Sequence, residues 1–267
     1  MISVIIPLYN AENSIEKTLD SIKNQTWKGE FEIFVVNDGS TDASAAVVEN
    51  YMKQSPLKIT LLNQENLGVS VARNVAMQLA TGEYIALLDA DDEWLPEKTE
   101  RQMDVLEDRN LDVDFLGCLR KNQKILWPFW VGENNLAKVT FRKLMLRNEV
   151  QPSTVIFKKE ILKKTGFFGK NFRFAEDLNF WLKISLHCKM YILNEELILA
   201  GDGKRSFGVS GLSANLLEME KGFQRNLKEL LSLKKIGFAE YVAYFIFYKM
   251  KFLVRIARNF YFNKQGR

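Results

Sequence analysis

The stretch GEYIALLDADDEW, residues 82–94, runs from a half-apolar segment straight into four carboxylates, Asp89, Asp91, Asp92 and Glu93. It reads as a strand that enters the interior and ends in an acidic turn. Folding alone does not favour such an ending. The carboxylates repel one another, and each is penalised for leaving water unless a positive charge compensates. Hard carboxylate oxygens suit Mg²⁺ or Mn²⁺, which commonly take one or two carboxylates together with substrate phosphates. The plainer reading is a solvated cap for a helix beginning near Pro96, where proline fits the first helical position. That cap explains Asp92 or Glu93. It leaves Asp89, still close to the strand, without a structural reason.

Outward from this stretch, SVIIPL, FEIFVV and LKITLL are further short apolar runs. Amphipathic helices separate them: ENSIEKTLDSIKNQ, with Ile15, Leu19 and Ile22 at helical spacing, a helix from Thr41 to about Lys53, and VSVARNVAMQLA. This alternation predicts an α/β fold with a mostly parallel central sheet flanked by helices. Beyond about Asp112 the pattern loosens. DVDFLGCL predicts a strand, followed by the irregular aromatic stretch KILWPFWVGENN, a helix around Thr140–Arg147 and a strand STVIFK. A helix EDLNFWLKISLHC and a strand MYILNEELILA lead into the basic loop GDGKRSFGVSGLS, and the chain from Leu216 reads as helices. The expected division is a main domain over 1–215, with halves 1–112 and 113–215, and a helical C-terminal extension over 216–267.

The bulk composition is that of an ordinary globular chain: 267 residues, 47% hydrophobic, 26% charged and a net charge of +4. So small a charge gives no reason to expect nucleic acid as a partner. Cys118 and Cys188, without paired spacing, point to a reducing compartment and no zinc site. MISVIIPLYN has no basic leader region and reads as a first core strand, which suits a cytoplasmic protein.

Four strands are followed by unusual polar groups. The first runs into Pro7, Tyr9, Asn10 and Glu12; the second into NDGSTD, residues 37–42; the third into NQENLG, residues 63–68; the fourth into the acidic cluster. In an open α/β sheet, ligands bind at the carboxyl ends of the strands, so all four tips are expected along one edge. NDGSTD is also good turn chemistry, with Ser40 or Thr41 available to cap the next helix. Asp38 is then left over, and its carboxylate can accept a hydrogen bond from a nucleobase N–H. Arg73, early in the third helix, can neutralise a diphosphate or pair with the nearby acids.

These motifs, SVIIPLYNAENSIEKTLDSIKNQTW, EIFVVNDGSTD and NLGVSVARNVAMQLATGEYIALLDADD, resemble in order and spacing the family-2 glycosyltransferases with the nucleotide-diphospho-sugar transferase (GT-A) fold. The resemblance covers roughly residues 1–215 and is densest over the first 95. It implies a Rossmann-like domain that binds a nucleotide-diphosphate sugar, UDP being the commonest donor nucleotide. By the same resemblance the Pro7–Tyr9 edge and Asp38 hold the base, with Glu12 and Arg73 beside them. Asp89 and Asp91 match the DxD motif for a divalent cation, ribose and diphosphate, with Asp91 the direct ligand to Mn²⁺ or Mg²⁺. The acid opening a later helix maps onto Glu176–Asp177, with Asp177 as catalytic base. The reaction implied is an inverting in-line displacement onto a hydroxyl of a glycan or lipid-linked acceptor.

Two acids at a helix start are also what the helix dipole favours, and the dipole is expected to keep Asp177 ionised. Trp181, one turn on, is a candidate sugar platform or a core residue, with Glu176 a further candidate acceptor contact. Lys204 and Arg205 in the glycine-rich loop are candidate diphosphate partners on a lid. In the tail, Lys251, Arg255, Arg258 and Phe262 fall on one stripe of a helix rich in Phe and Tyr. Segment 236–262 can therefore lie in a membrane interface, or pack on the domain or on a second subunit.

Other classes fit less well. A dinucleotide oxidoreductase wants G-x-G-x-x-G where this chain has PLYNAEN. A haloacid-type phosphatase places its acids after an early strand, and a sugar nucleotidyltransferase a glycine-rich basic loop after the first. The alternative with most force is a non-catalytic sugar-nucleotide-binding or assembly subunit, which needs Asp38 and Asp91 but no base at Asp177.

Overall fold

The computed structural model describes residues 1–170, 172–201 and 215–264, with side chains up to Tyr261. Strands β1 (Ile2–Leu8), β2 (Phe31–Asp38), β3 (Lys58–Gln64) and β4 (Tyr84–Leu87) alternate with helices α1 (Ile15–Lys23), α2 (Ser44–Gln54) and α3 (Val69–Leu79). The strands pair in parallel in the order β3-β2-β1-β4. Next come β5 (Asp92–Trp94), α4 (Lys98–Leu106), β6 (Phe115–Arg120), β7 (Leu136–Val139), α5 (Phe141–Leu146) and β8 (Ile156–Lys158). The chain continues through α6 (Leu162–Thr165), α7 (Glu176–Ser185), β9 (Met190–Ala200), α8 (Leu216–Ser232) and α9 (Phe238–Lys264). Beyond β4 the sheet runs β8-β6-β9-β5, with β7 also on β9, so that β5, β7 and β8 oppose an otherwise parallel sheet.

Both faces of the sheet's centre are covered, which is why β1, β2, β4 and β6 are near-continuous buried runs rather than alternating ones. Ile33 and Val35 of β2 join the core on one side, with Ile15 and Leu19 of α1. Phe34 and Val36 face the other, with Ala72 of α3 and Phe180 of α7. Because β1 lies between β2 and β4, the chain leaves β1 in one direction and returns on its other side. That change of direction opens a crevice at the carboxyl edge, where a ligand can sit.

At the opposite edge a buried carboxylate pins the sheet. Glu32 accepts hydrogen bonds from the Ser3 hydroxyl, from the Thr81 backbone N–H (2.6 Å) and hydroxyl (2.8 Å), and from the Gly82 N–H (2.9 Å). A side chain at Gly82 would press on Ser3 Oγ at 2.6 Å, so the turn into β4 needs glycine for its close approach.

The tail is packed along one side and open along the other. Tyr248 donates to the Met145 carbonyl (2.8 Å), Lys251 to the Leu146 carbonyl (2.8 Å), and Arg255 to buried Glu220 (3.3 Å). The predicted basic stripe thus turns partly inward, because Glu220 and the carbonyls that end α5 need donors. Among the described residues no helix is long and apolar enough to cross a membrane.

Burial tends to raise the pKa of Glu32, but its hydrogen bonds outweigh that and hold it below 4.5. A lowered folded-state pKa gives stability that is present above the unfolded value and lost as pH falls through the folded one. Glu32→Gln is expected to lower unfolding free energy by about 3 kcal/mol near neutral pH. In urea titrations over an acid pH series, the variant should also lose less stability than wild type below pH ~4.5.

Candidate active site

The acidic turn is held from three sides. Thr18 of α1 donates to the carbonyls of Ala90 (3.0 Å) and Asp92 (2.9 Å), and Ser14 to that of Ala90 (2.9 Å). The Asp89 N–H donates to Ser153 Oγ (3.0 Å), whose hydroxyl donates in turn to Asp92. The other oxygen of Asp92 accepts from the Gly201 N–H at 2.9 Å. The turn therefore does not cap a helix. Asp92 and Glu93 belong to β5 against β9, and α4 starts only at Lys98 with Glu97 at its N-cap. Burial and the charge of Asp89 push the pKa of Asp92 up to about 7, a sign of how much negative charge is gathered here.

Arg73 supplies the nearest compensation. Its buried guanidinium donates to Asp89 (2.6 Å) with one nitrogen and to Glu176 (3.2 Å) with another. Of the two roles open to Arg73 in the sequence, the structure shows the ion pair. Its neighbours on α3 do similar work: Ser70 donates to the Phe172 carbonyl (2.8 Å), and Asn74 exchanges two hydrogen bonds with the Phe168 backbone. One helix face thus ties the acidic turn to the segment that leads into α7.

Glu176 and Asp177 open α7 after Ala175, which adopts a left-handed conformation (φ 55°). The Ala175 carbonyl accepts from Asn226 of α8 at 3.0 Å, and a side chain at Gly222 would meet the Phe174 carbonyl at 2.4 Å. Helix α8 is therefore part of the support for this helix start. Asp177 accepts from the Leu178 N–H (2.7 Å) with one oxygen and from Asn148 (2.9 Å) with the other. Burial pushes the pKa of Asp177 upward and that of Glu176 to about 7. The helix dipole was expected to keep Asp177 readily ionised; desolvation between neighbouring acids outweighs it.

The remaining predicted residues fall in several places. Tyr9 is exposed and Pro7 half-buried at the end of β1. Asp38 is buried and accepts from Gln64 (2.7 Å) and from the N–H groups of Leu67 (2.8 Å) and Gly68 (2.9 Å), so it fixes the β3–α3 loop. Glu12 accepts from the Ala43 N–H (2.8 Å) and Asp42 from the Ser44 N–H (3.0 Å). These two acids, not Ser40 or Thr41, serve the start of α2. Asp91 is exposed beside Gly201. Trp181 is fully buried and donates to the Val150 carbonyl (3.2 Å); it is a core residue and not a sugar platform. Lys204 and Arg205 lie outside the described residues.

Among the described residues no three His, Cys, Asp or Glu side chains converge as a cage for a cation. A cation here would rest on Asp91 with Asp89 and on oxygens of the ligand, a donor set that Mg²⁺ and Mn²⁺ accept. Sequence reasoning missed Ser70, Asn74, Asn148 and Ser153. The first two carry a faint signal, being polar at the same helical spacing as Arg73 in an otherwise apolar helix. Asn148 and Ser153 reach their partners only through the fold.

Residues 3–167 match the model of the family described as "Glycosyl transferase family 2". Among curated proteins, the chain is 45% identical to the uncharacterized glycosyltransferase YibD of Escherichia coli over 112 residues, 42% of this chain and 32% of that protein. It is 30% identical over 185 residues to WfgD of Escherichia coli, named a UDP-Glc:α-D-GlcNAc-diphosphoundecaprenol β-1,3-glucosyltransferase, covering 69% of each. Residues 1–349 of TarS from S. aureus, solved with UDP-GlcNAc, match with a TM-score of 0.69 at 24% identity, over 91% of this chain and 70% of that one. The mannosyltransferase PcManGT from Pyrobaculum calidifontis, solved with GDP-Man and Mn²⁺, matches at 0.66 and 22% identity, over 86% and 64%. At these identities the two structures establish the fold.

Replacing Arg73 by Met leaves Asp89 and Glu176 facing each other without a cation. A loss of about 3–5 kcal/mol in urea denaturation is expected at neutral pH. The raised pKa of Glu176 means that the folded state holds its proton more tightly, so this group contributes stability below 4.5 that fades as pH rises toward 7. Without Arg73 that pKa moves higher still, so the variant keeps losing stability where wild type has stopped, and its deficit should grow as pH rises through about 7, from about pH 6 to 8. A deficit constant over that range would contradict the pairing.

Proposed function

This chain belongs to glycosyl transferase family 2, and we propose that it is an inverting enzyme that moves a sugar from a UDP-sugar to a hydroxyl of a glycan or lipid-linked acceptor. The observation that carries the reading is the Arg73 bridge, which joins the DxD-like acids at the end of β4 to the acids opening α7. In this reading that bridge sets the distance between the donor site and the base. The name of WfgD and the ligand of TarS favour a uridine nucleotide, and the same name favours an acceptor on a lipid diphosphate. The reading puts the enzyme in the cytoplasm.

In this mechanism the nucleotide base lies along Pro7, Tyr9 and the loop that Asp38 orders. Mn²⁺ or Mg²⁺, held by Asp91 with Asp89, would supply positive charge toward the departing diphosphate. Asp177 is the base. It takes the proton of the acceptor hydroxyl as that oxygen bonds to the anomeric carbon, while the bond from that carbon to the diphosphate oxygen breaks. The nucleoside diphosphate leaves from the opposite face, so configuration inverts. Asn148 and the Leu178 N–H orient the carboxylate, and its raised pKa brings it closer to the operating pH, where a general base works best. Glu176, paired with Arg73, positions the helix start.

A positioned base contributes about 10²–10⁴-fold. Asp177→Asn is expected to lower turnover by that factor while leaving UDP binding within about twofold of wild type. Wild-type turnover in the variant would remove Asp177 from the base role. Tight UDP binding without sugar transfer or donor hydrolysis in wild type would favour a non-catalytic binding subunit.

A further inference from the structure

We infer that the aromatic loop 126–131 and the outward face of α9 form one surface that docks on an anionic lipid bilayer. In the loop, Phe129 is buried in the core while Trp127 and Trp130 are 72% and 66% exposed. The loop is anchored, and its two indoles still point outward. Lys143 of α5 stands 3.7 Å above the Trp130 ring, and the adjacent Arg142 pairs with Glu240 at the start of α9. Helix α5 thus joins the loop directly to the long helix.

The inner side of α9 is occupied by its contacts with α5 and α8. On the other side Ile246, Met250, Leu253 and Phe260 are exposed, at spacings that keep them on one face. From Val242 to Tyr261 this face extends about 29 Å at 1.5 Å per residue. Apolar patches of such length mark interaction sites on globular proteins. Charge identifies the occupant. After Glu240 the sequence contains no acid; Lys251 and Arg255 turn inward, but Lys249, although 3.3 Å from Glu220, and Arg258 are exposed beside the apolar face. A second copy laid along this face would bring like charges together. Anionic headgroups would neutralise them while the apolar side chains enter the acyl boundary. Exposed tryptophans favour that same boundary, with an apolar body and a polar N–H. The inference stands on this surface alone, independently of the donor and base assignments.

The test is flotation of the full chain with vesicles of phosphatidylcholine alone or with one-third phosphatidylglycerol. Wild type should float with the anionic vesicles at least tenfold more than with the neutral ones, and less as salt rises. Met250→Glu/Leu253→Glu and, separately, Trp127→Ala/Trp130→Ala should each weaken flotation at least tenfold without shifting the thermal midpoint. Two surface variants are needed so that a folding defect in one does not decide the outcome. No flotation, or equal flotation with both lipids, would overturn the proposal. So would a dimer in sedimentation velocity without lipid that Met250→Glu/Leu253→Glu splits, since a second copy would then cover the face.

Discussion

A buried guanidinium shared by two carboxylates is the constraint on which the rest of this site depends. Asp89 and Glu176 come from opposite halves of the chain, and neither can be buried beside the other without a cation between them. Arg73 provides it, from a helix whose Ser70 and Asn74 also fasten the backbone at Phe172 and Phe168. The position of the α7 acids is therefore set by the same helix that follows the third strand. The geometry the proposed chemistry requires and the geometry of folding are one arrangement, because the polar face of α3 is the interface between the two halves.

The same burial controls the acid–base character of the site. A carboxylate at a helix start is ordinarily favoured as the anion, yet Asp177 and Glu176 are both shifted upward. Desolvation, with repulsion from Asp89 and, for Glu176, from Asp177, wins over the dipole at a helix start that α8 packs against, its Gly222 passing by the Phe174 carbonyl. What the sequence presents as a C-terminal appendage is, in its first helix, part of the wall of the site. Its second helix is different, packed along one side and apolar along the other.

The first half of the fold was legible because β1, β2 and β4 are covered on both faces and each helix on one, which leaves clear apolar periods there, while β3 at the sheet edge keeps its apolar run half-buried. The resemblance to family-2 glycosyltransferases rested on that half, and the family match covers it. The roles of individual residues were harder to read. Trp181 has helical spacing from Asp177, and only the packing shows that its ring is in the core. Asp92 looks like a helix cap, but a three-residue strand pairs it with a segment more than 100 residues away. Asn148 has no local signal at all, since its partner Asp177 is reached only through tertiary structure. Sequence periodicity reports which face is buried; it does not report which polar group meets which.

The central claim is that the acids after β4 act together with a cation to grip a diphosphate. Calorimetric titration of UDP, with GDP as comparator, into wild type and Asp91→Ala in the presence of Mn²⁺ or of EDTA addresses it directly. UDP should bind wild type at least tenfold more tightly with Mn²⁺ than with EDTA, and Asp91→Ala should abolish that difference. Equal UDP affinity in all four conditions, or no binding in any, would contradict the claim and leave the acidic turn with a structural role alone.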